Sequence, residues 1–459
     1  MIAEKVKMMV LGCPKNRADS EAVAGLLKDA GFEVVLCEKE ADAAILFTCA
    51  FVRDAEEESI GAIVELGEQK RRGKIRALLV VGCMPERHRA ESGVSRDLPD
   101  VDAWVGAADY RKLPQILKNA LDGKRHFPSL ERTGFLPERA KRLRLGHEPF
   151  SYLKISEGCR NRCAYCTIPY IKGDFRSRPF GQLVEEAAKL AAAGAKEIVI
   201  VGQDTALYGI DRYGQPKLAD LLKKLASRLP KTWLRVMYCH PAHLNKSLFE
   251  TIAEFPNICP YMDVPVQHVS NSVLRRMGRR VTKKTIERTI ENARKTVPGM
   301  VLRTTVMVGF PGETDAEFRE LLEFVKAIRF ERLGAFAYSR EEGTRAFDMP
   351  GQIPEKIKLD RLDITMRTQQ EISWDINQDL IGKQMIVLVD GVAEDNPDSV
   401  AARSMAHAPE VDGRVYIRNR GFNPGDFLKV RITDALLYDL EAEPITAENQ
   451  KRSRPDTYR

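Results

Sequence analysis

The most specific chemistry in this chain lies in three closely spaced cysteines, Cys159, Cys163 and Cys166, arranged C-x3-C-x2-C. Three thiolates on one tight loop suit a cubane iron–sulfur cluster and leave one of its irons without a protein ligand. An iron left open in this way is a place where a cofactor or substrate can chelate. A structural zinc site asks for four ligands in a closed shell, and no fourth cysteine stands nearby in the sequence.

A second trio is spread over seventy residues. Cys13, Cys49 and Cys83 each follow an apolar, strand-like run: Val10-Leu11-Gly12, Leu46-Phe47-Thr48 and Val80-Val81-Gly82. Ligands of an open parallel sheet bind at the carboxyl ends of its strands, so three such thiols are expected to converge. Gly12 and Gly82 would let the backbone approach closely there. The plainer reading makes them small apolar residues at strand ends. Cys37, Cys239 and Cys259 follow no such pattern and read as packing residues. Cys239-His240-Pro241-Ala242-His243 sets two histidines three apart around a proline, which reads as a surface or pocket-lining loop rather than a metal box.

These residues need a scaffold, and the alternation of elements supplies one. Strand-like runs at 7–11, 43–48 and 77–81 alternate with helical spacing at 18–30 and 52–71, which implies a parallel sheet with right-handed crossovers. Residues 123–150 gather lysines, arginines and prolines and read as an extended basic linker or surface arm. From 152 the alternation resumes, with strands at 152–156, 197–201, 233–237, 261–264, 301–308 and 333–337. Helices are expected at 183–193, 218–229, 283–296 and 315–328, and a long helix at 355–378 leads away. Six such units point to a partial rather than a closed (β/α) barrel. Past 380, β-type segments at 385–390, 413–418 and 427–432 are separated by turn residues and read as a small antiparallel barrel. The fold class is therefore α/β, divided as 1–122, 123–150, 151–378, 379–445 and a polar tail at 446–459.

Composition excludes several classes. Nine cysteines in 459 residues are too few for a disulfide scaffold. With 44% hydrophobic and 30% charged residues the chain reads as soluble, and no apolar run approaches the ~20 residues of a membrane span. The N-terminal residues lack the apolar stretch of a signal peptide. A cytoplasmic location without a membrane partner is the expectation.

The C-x3-C-x2-C loop, with Tyr165 before its last cysteine, resembles the radical S-adenosylmethionine superfamily. In that superfamily the open iron chelates S-adenosylmethionine, whose reductive cleavage yields a 5'-deoxyadenosyl radical. Together with Cys13, Cys49 and Cys83 the chain looks like the methylthiotransferase family. That resemblance implies a flavodoxin-like N-terminal domain with an auxiliary cluster, a radical domain and a C-terminal TRAM barrel. It implies two [4Fe-4S] clusters, ligated by Cys13, Cys49 and Cys83 and by Cys159, Cys163 and Cys166. It sets the Gly309-Phe310-Pro311-Gly312-Glu313 turn near the cofactor's nucleoside and Gln203 within reach of its ribose or methionine. Arg303 is expected inside the barrel, with either the cofactor carboxylate or a protein carboxylate as its partner. No catalytic residue beyond the cluster ligands is expected.

Methylthiotransferases divide by substrate, and charge bears on which. Nucleic-acid binders need basic surfaces. Between 379 and 444 twelve acidic residues stand against seven Lys plus Arg, a net of −5 (7 − 12), which suits a basic protein better than RNA. Leu11-Gly12-Cys13-Pro14-Lys15-Asn16 resembles the RimO-like branch, where tRNA-modifying MiaB-like enzymes typically carry Gln-Met at Pro14-Lys15. This branch implies an aspartate of ribosomal protein S-12 as substrate, with sulfur handled by the auxiliary cluster and an unidentified electron donor. The alternatives are a tRNA (adenosine) methylthiotransferase and a non-enzymatic RNA-binding module with a zinc core.

Overall fold

The computed structural model describes residues 3–36, 40–88, 94–128, 141–394, 396–418 and 421–445. Cys37, the middle of the basic linker and the polar tail lie outside these residues.

The N-terminal sheet is parallel throughout, ordered Glu33–Leu36, Lys5–Val10, Ala43–Thr48, Ala77–Gly82, Ala103–Val105. Ala43–Thr48 and Ala77–Gly82 are buried along their whole length, as expected of strands covered on both faces by helices. This is the flavodoxin-like order, in which the strand sequence reverses on either side of Lys5–Val10. Glu33–Leu36 and Ala103–Val105 carry too little periodicity to stand out in sequence.

Six parallel strands form the central sheet in the order Arg332–Ala337, Val301–Val308, Ile258–Asp263, Trp233–Val236, Glu197–Val201, Phe150–Lys154. Their two faces are chemically different. Ile198, Ile200, Leu234 and Val236 pack outward under the helices. Val199, Val201, Trp233 and Tyr261 point into the barrel, where Ala18 of helix Pro14–Asp29 and Leu388 and Ala408 of the C-terminal domain join them. Period-two alternation thus gives the barrel an interior that all three domains help to fill.

The C-terminal domain is a closed five-stranded barrel, Gln384–Val392, Ser399–Ser404, Val415–Arg418, Leu440–Pro444, Phe427–Ala435. It differs from the antiparallel expectation at one seam, where Val415–Arg418 and Leu440–Pro444 run parallel. Parity requires this: strands that alternate in direction around a closed ring must be even in number, so five force one parallel pair.

The linker also departs from a surface arm. Arg142 is buried, donating to Glu186 at 2.8 Å and to Glu21 at 2.5 Å, so it joins the first domain to the barrel.

Candidate active site at the domain interface

The carboxyl ends of the two parallel sheets face one another. Thr167, which follows Cys166, donates its hydroxyl to Phe51 O at 3.1 Å, two residues past Cys49. Arg87, four residues past Cys83, donates to Ala50 O at 2.8 Å and pairs with Glu341 at 2.6 Å. Glu341 lies beyond the last barrel strand and also accepts from Arg53 N at 3.0 Å. The loops that carry the two cysteine trios are therefore bonded to each other directly.

In the first trio, Cys13 and Cys49 leave the two strands that flank the switch point, and Cys83 leaves the next strand. Gly12 (φ +85°) makes room for Cys49: a Cβ there would lie 2.8 Å from Cys49 Cβ and 3.3 Å from its Sγ. Asn16 Nδ2 ties the two loops by donating to Leu11 O at 3.1 Å and Thr48 O at 2.8 Å. Burial pushes the Cys49 thiol up and the Cys83 thiol to about 12. Such thiols become ligands only when a metal displaces the proton.

The second trio sits on a loop bent by Gly158 (φ +74°) and by Arg162, a non-glycine residue at φ +52°. Ala164 is pinned on both sides, donating to Met277 O at 2.8 Å and accepting from Ala346 N at 2.9 Å. Asn161 Nδ2 donates to Asp204 at 2.8 Å, and Arg279 donates to Tyr165 Oη at 3.2 Å with Cys163 Sγ 3.9 Å away. Burial raises the Cys159 thiol to about 11 and raises that of Cys166 as well.

Both trios have a donor set that suits an iron–sulfur cluster: three thiols with no imidazole or carboxylate among them. No three His, Cys, Asp or Glu side chains among the described residues close into a single-ion cage. A cubane does not need one, because its cysteines bind separate irons at the corners. Two orphaned polar groups support the fit. Lys172 Nζ is buried without a hydrogen-bond partner among the described residues and faces Cys83, Glu157, Tyr110 and Asp19. A buried ammonium without a hydrogen bond is costly, and thiolates of a cluster bound beside it would add negative charge to that of Glu157. Gln203 donates through Nε2 to Glu157 at 3.1 Å, while its Oε1 is buried with no partner among the described residues.

The other residues singled out in sequence fall as follows. Arg303 pairs with Asp263 at 2.8 Å and Asp412 at 3.6 Å, the latter from the C-terminal domain, so its partners are protein carboxylates. Gly309 (φ +72°) gives its N–H to Glu313 at 2.9 Å, and a Cβ would collide with Lys358 Cγ at 2.2 Å. Asp204 accepts from His243 Nδ1 at 2.7 Å, which makes the His240–His243 turn a wall of the site. His240 is neutral, its pKa lowered to about 2 by burial. Cys239 and Cys259 are buried among apolar residues.

Sequence reasoning passed over Lys15 as a site residue. Its ammonium lies 3.8 Å from the centroid of the Tyr238 ring, on a residue held at φ +62° just past a barrel strand. It makes no hydrogen bond or ion pair among the described residues. The carboxylates it faces are engaged elsewhere, Asp263 by Arg303 and Glu157 by Lys154 at 2.6 Å. Lys15 is thus a cation turned into the site with its hydrogen-bonding capacity unused. Its position two residues past Cys13, in the Pro14-Lys15 pair that marks the RimO-like branch, was the available signal.

Comparison with known proteins gives this geometry a family. Residues 5–106 match a family described as uncharacterized protein family UPF0004, 153–325 the radical SAM superfamily, and 381–445 the TRAM domain. A protein of Pelotomaculum thermopropionicum named ribosomal protein uS12 methylthiotransferase RimO is 44% identical over 96% of this chain and 99% of its own. This chain belongs to the RimO family. The RimO protein of Geobacter sulfurreducens is 41% identical over 96% of this chain and 99% of its own. Both cysteine trios of this RimO-family chain fall inside the matched spans, the first in 5–106 and the second in 153–325. Among solved structures, the radical S-adenosylmethionine methyltransferase TsrM of Kitasatospora setae shares the fold at a TM-score of 0.55 and 15% identity. That match covers 72% of this chain and 73% of TsrM.

Proposed function

We propose that this RimO-family transferase attaches a methylthio group to an aspartate of ribosomal protein S-12, using two [4Fe-4S] clusters and S-adenosylmethionine. The observation that carries the reading is the meeting of two all-thiol trios, on the carboxyl ends of two parallel sheets, across one interface. Relatives named for ribosomal protein uS12 favour it over the tRNA alternative. When bound, the radical cluster and its cofactor supply a route to an unactivated C–H bond, which acid–base groups cannot open.

The chain's own residues position and charge the site. Cys159, Cys163 and Cys166 hold the radical cluster, and Cys13, Cys49 and Cys83 the auxiliary one. Gln203 offers its free Oε1 to a cofactor hydroxyl or amine. Glu157, which burial alone would raise, is held well below the usual carboxylate range by Lys154 and Lys172 and so stays ionised beside both loops. Lys15 presents an ammonium that suits the carboxylate of the target aspartate. The acidic C-terminal barrel complements a basic ribosomal protein. A ribosomal substrate is met in the cytoplasm, and no described helix is long and apolar enough to cross a membrane.

Anaerobic purification followed by iron and sulfide analysis tests the two-cluster assignment, with about eight irons per chain expected. Cys163→Ala should reduce that to about four and abolish S-adenosylmethionine cleavage by the reduced enzyme. Zinc without sulfide would eliminate the radical reading. Mass spectrometry of S-12 and of tRNA from a deletion strain identifies the substrate, and loss of the methylthio group from tRNA alone would overturn the protein assignment.

A further inference from the structure

The outer flank of the radical loop carries a charge that the proposed reaction does not use. A groove of about 1060 Å³ opens beside Cys163 and Cys166. Six arginines line it, Arg162, Arg176, Arg275, Arg279, Arg280 and Arg345, against one carboxylate, Asp174. Arg279 is turned inward to Tyr165, and Arg162 meets Asp174 at 3.5 Å with both side chains largely exposed. Among the described residues the Arg345 side chain donates only to the backbone oxygen of Arg162, at 2.8 Å. The side chains of Arg275 and Arg280 make no hydrogen bond or ion pair among the described residues. Tyr170, 47% exposed, stands in the same groove.

Crowded like charges repel, and among the described residues no carboxylate pairs with Arg275, Arg280 or Arg345, so this surface complements an acidic partner. Two cluster ligands form part of its wall, which puts any occupant against the radical cluster. The loop's other flank is closed by the N-terminal domain through Thr167 and Phe51. Charge-steered contacts of modest area are typical of transient electron-transfer encounters, and an exposed aromatic among charged groups suits one.

We propose that this groove is the docking face for a small acidic one-electron carrier protein that reduces the Cys159/Cys163/Cys166 cluster. The inference rests on the radical-enzyme reading above. One electron leaves the carrier's redox group and enters the cluster: the carrier is oxidised by one electron, the cluster is reduced by one, and no bond or proton changes at the groove. RNA phosphates would also suit the arginines, but cluster thiols in the wall favour a redox protein.

The test uses flavodoxin, a small acidic flavoprotein, as the probe. Its affinity for the purified enzyme is measured by calorimetric titration at several salt concentrations. Formation of 5'-deoxyadenosine is driven in parallel by reduced flavodoxin and by dithionite, which needs no docking face. The Arg275→Glu/Arg280→Glu/Arg345→Glu variant should lose about tenfold or more in flavodoxin affinity and in flavodoxin-driven cleavage, with the dithionite-driven rate within about twofold. The matching lysine variant should keep both rates. Unchanged flavodoxin affinity in the glutamate variant overturns the proposal. So does a variant whose only defect is in modifying ribosomal substrate under dithionite, which would make the groove an RNA face. Should the dithionite rate also collapse, the wild-type salt series decides, and a salt-insensitive affinity is the contrary result. A wild-type enzyme that fails to cleave the cofactor with dithionite would instead sink the radical-enzyme reading itself.

Discussion

Gly82→Ala probes the link between backbone geometry and the first cysteine trio. Gly82 stands at φ +105°, ψ −135°, a region essentially restricted to glycine, immediately before Cys83. A Cβ at Gly82 would lie 2.9 Å from Thr48 O and 3.2 Å from Thr48 N, and both contacts are backbone atoms of the adjacent strand. The conformational cost is about 1–3 kcal/mol, and forcing atoms into packed surroundings adds a similar amount, so about 2–6 kcal/mol in all. Relief requires moving Thr48 or Gly82, and each is bonded directly to a cysteine of the trio. The variant should therefore unfold at lower urea and, purified anaerobically, carry nearer four than eight irons, an estimate of about one cluster lost. Gly73→Ala is the matched control. Gly73 is also left-handed, at φ +72°, but nothing lies within 4 Å of its Cβ position. It should cost only about 1–2 kcal/mol and leave the iron count unchanged. A Gly82→Ala protein as stable as wild type and fully loaded with iron would refute the reasoning.

Two further substitutions test a buried ion cluster that joins the barrel to the C-terminal domain and one residue of the site. Glu197 is fully buried between Arg235 and Arg403, each at 2.6 Å, and Arg403 belongs to the C-terminal barrel. Glu197→Gln leaves Arg235 without a carboxylate and should destabilise the chain by about 3–5 kcal/mol in urea unfolding, whereas a loss under about 1 kcal/mol would count against a structural triad. Burial alone would raise the Glu197 carboxyl, but Arg235 and Arg403 hold it below its ordinary value of 4.5. Its stabilisation is therefore complete above that value and fades as pH falls through the lower folded one, a dependence that the Gln variant should lack. Lys15→Met should leave the iron count and dithionite-driven cofactor cleavage intact while cutting S-12 modification at least about tenfold through a weaker KM. Equal loss of uncoupled cleavage would show that Lys15 serves the clusters instead.

Local spacing was enough to mark Cys159, Cys163 and Cys166, because a loop of eight residues needs no distant help to bring three thiols together. Strand and helix periodicity likewise revealed the α/β domains. Cys13, Cys49 and Cys83 were legible for a related reason: neighbouring parallel strands end along one edge, so residues at their carboxyl ends share it. Strand Ser399–Ser404 escaped notice because its Ala, Ser and Arg residues have weak β-preference and are held by burial on a barrel wall. The carboxylate partners of Arg303 come from a barrel strand and from the C-terminal domain, 40 and 109 residues away in sequence, so only folding could bring them together. The same holds for Lys15 above Tyr238, Lys172 beside Cys83 and the arginines drawn from separate segments around Cys163. Sequence by itself determined which elements carry the two cysteine trios, since strand and helix periodicity is a short-range property. Tertiary structure decided which charges surround those thiols, because Coulomb and desolvation energies depend on distance and burial between segments that sequence leaves far apart.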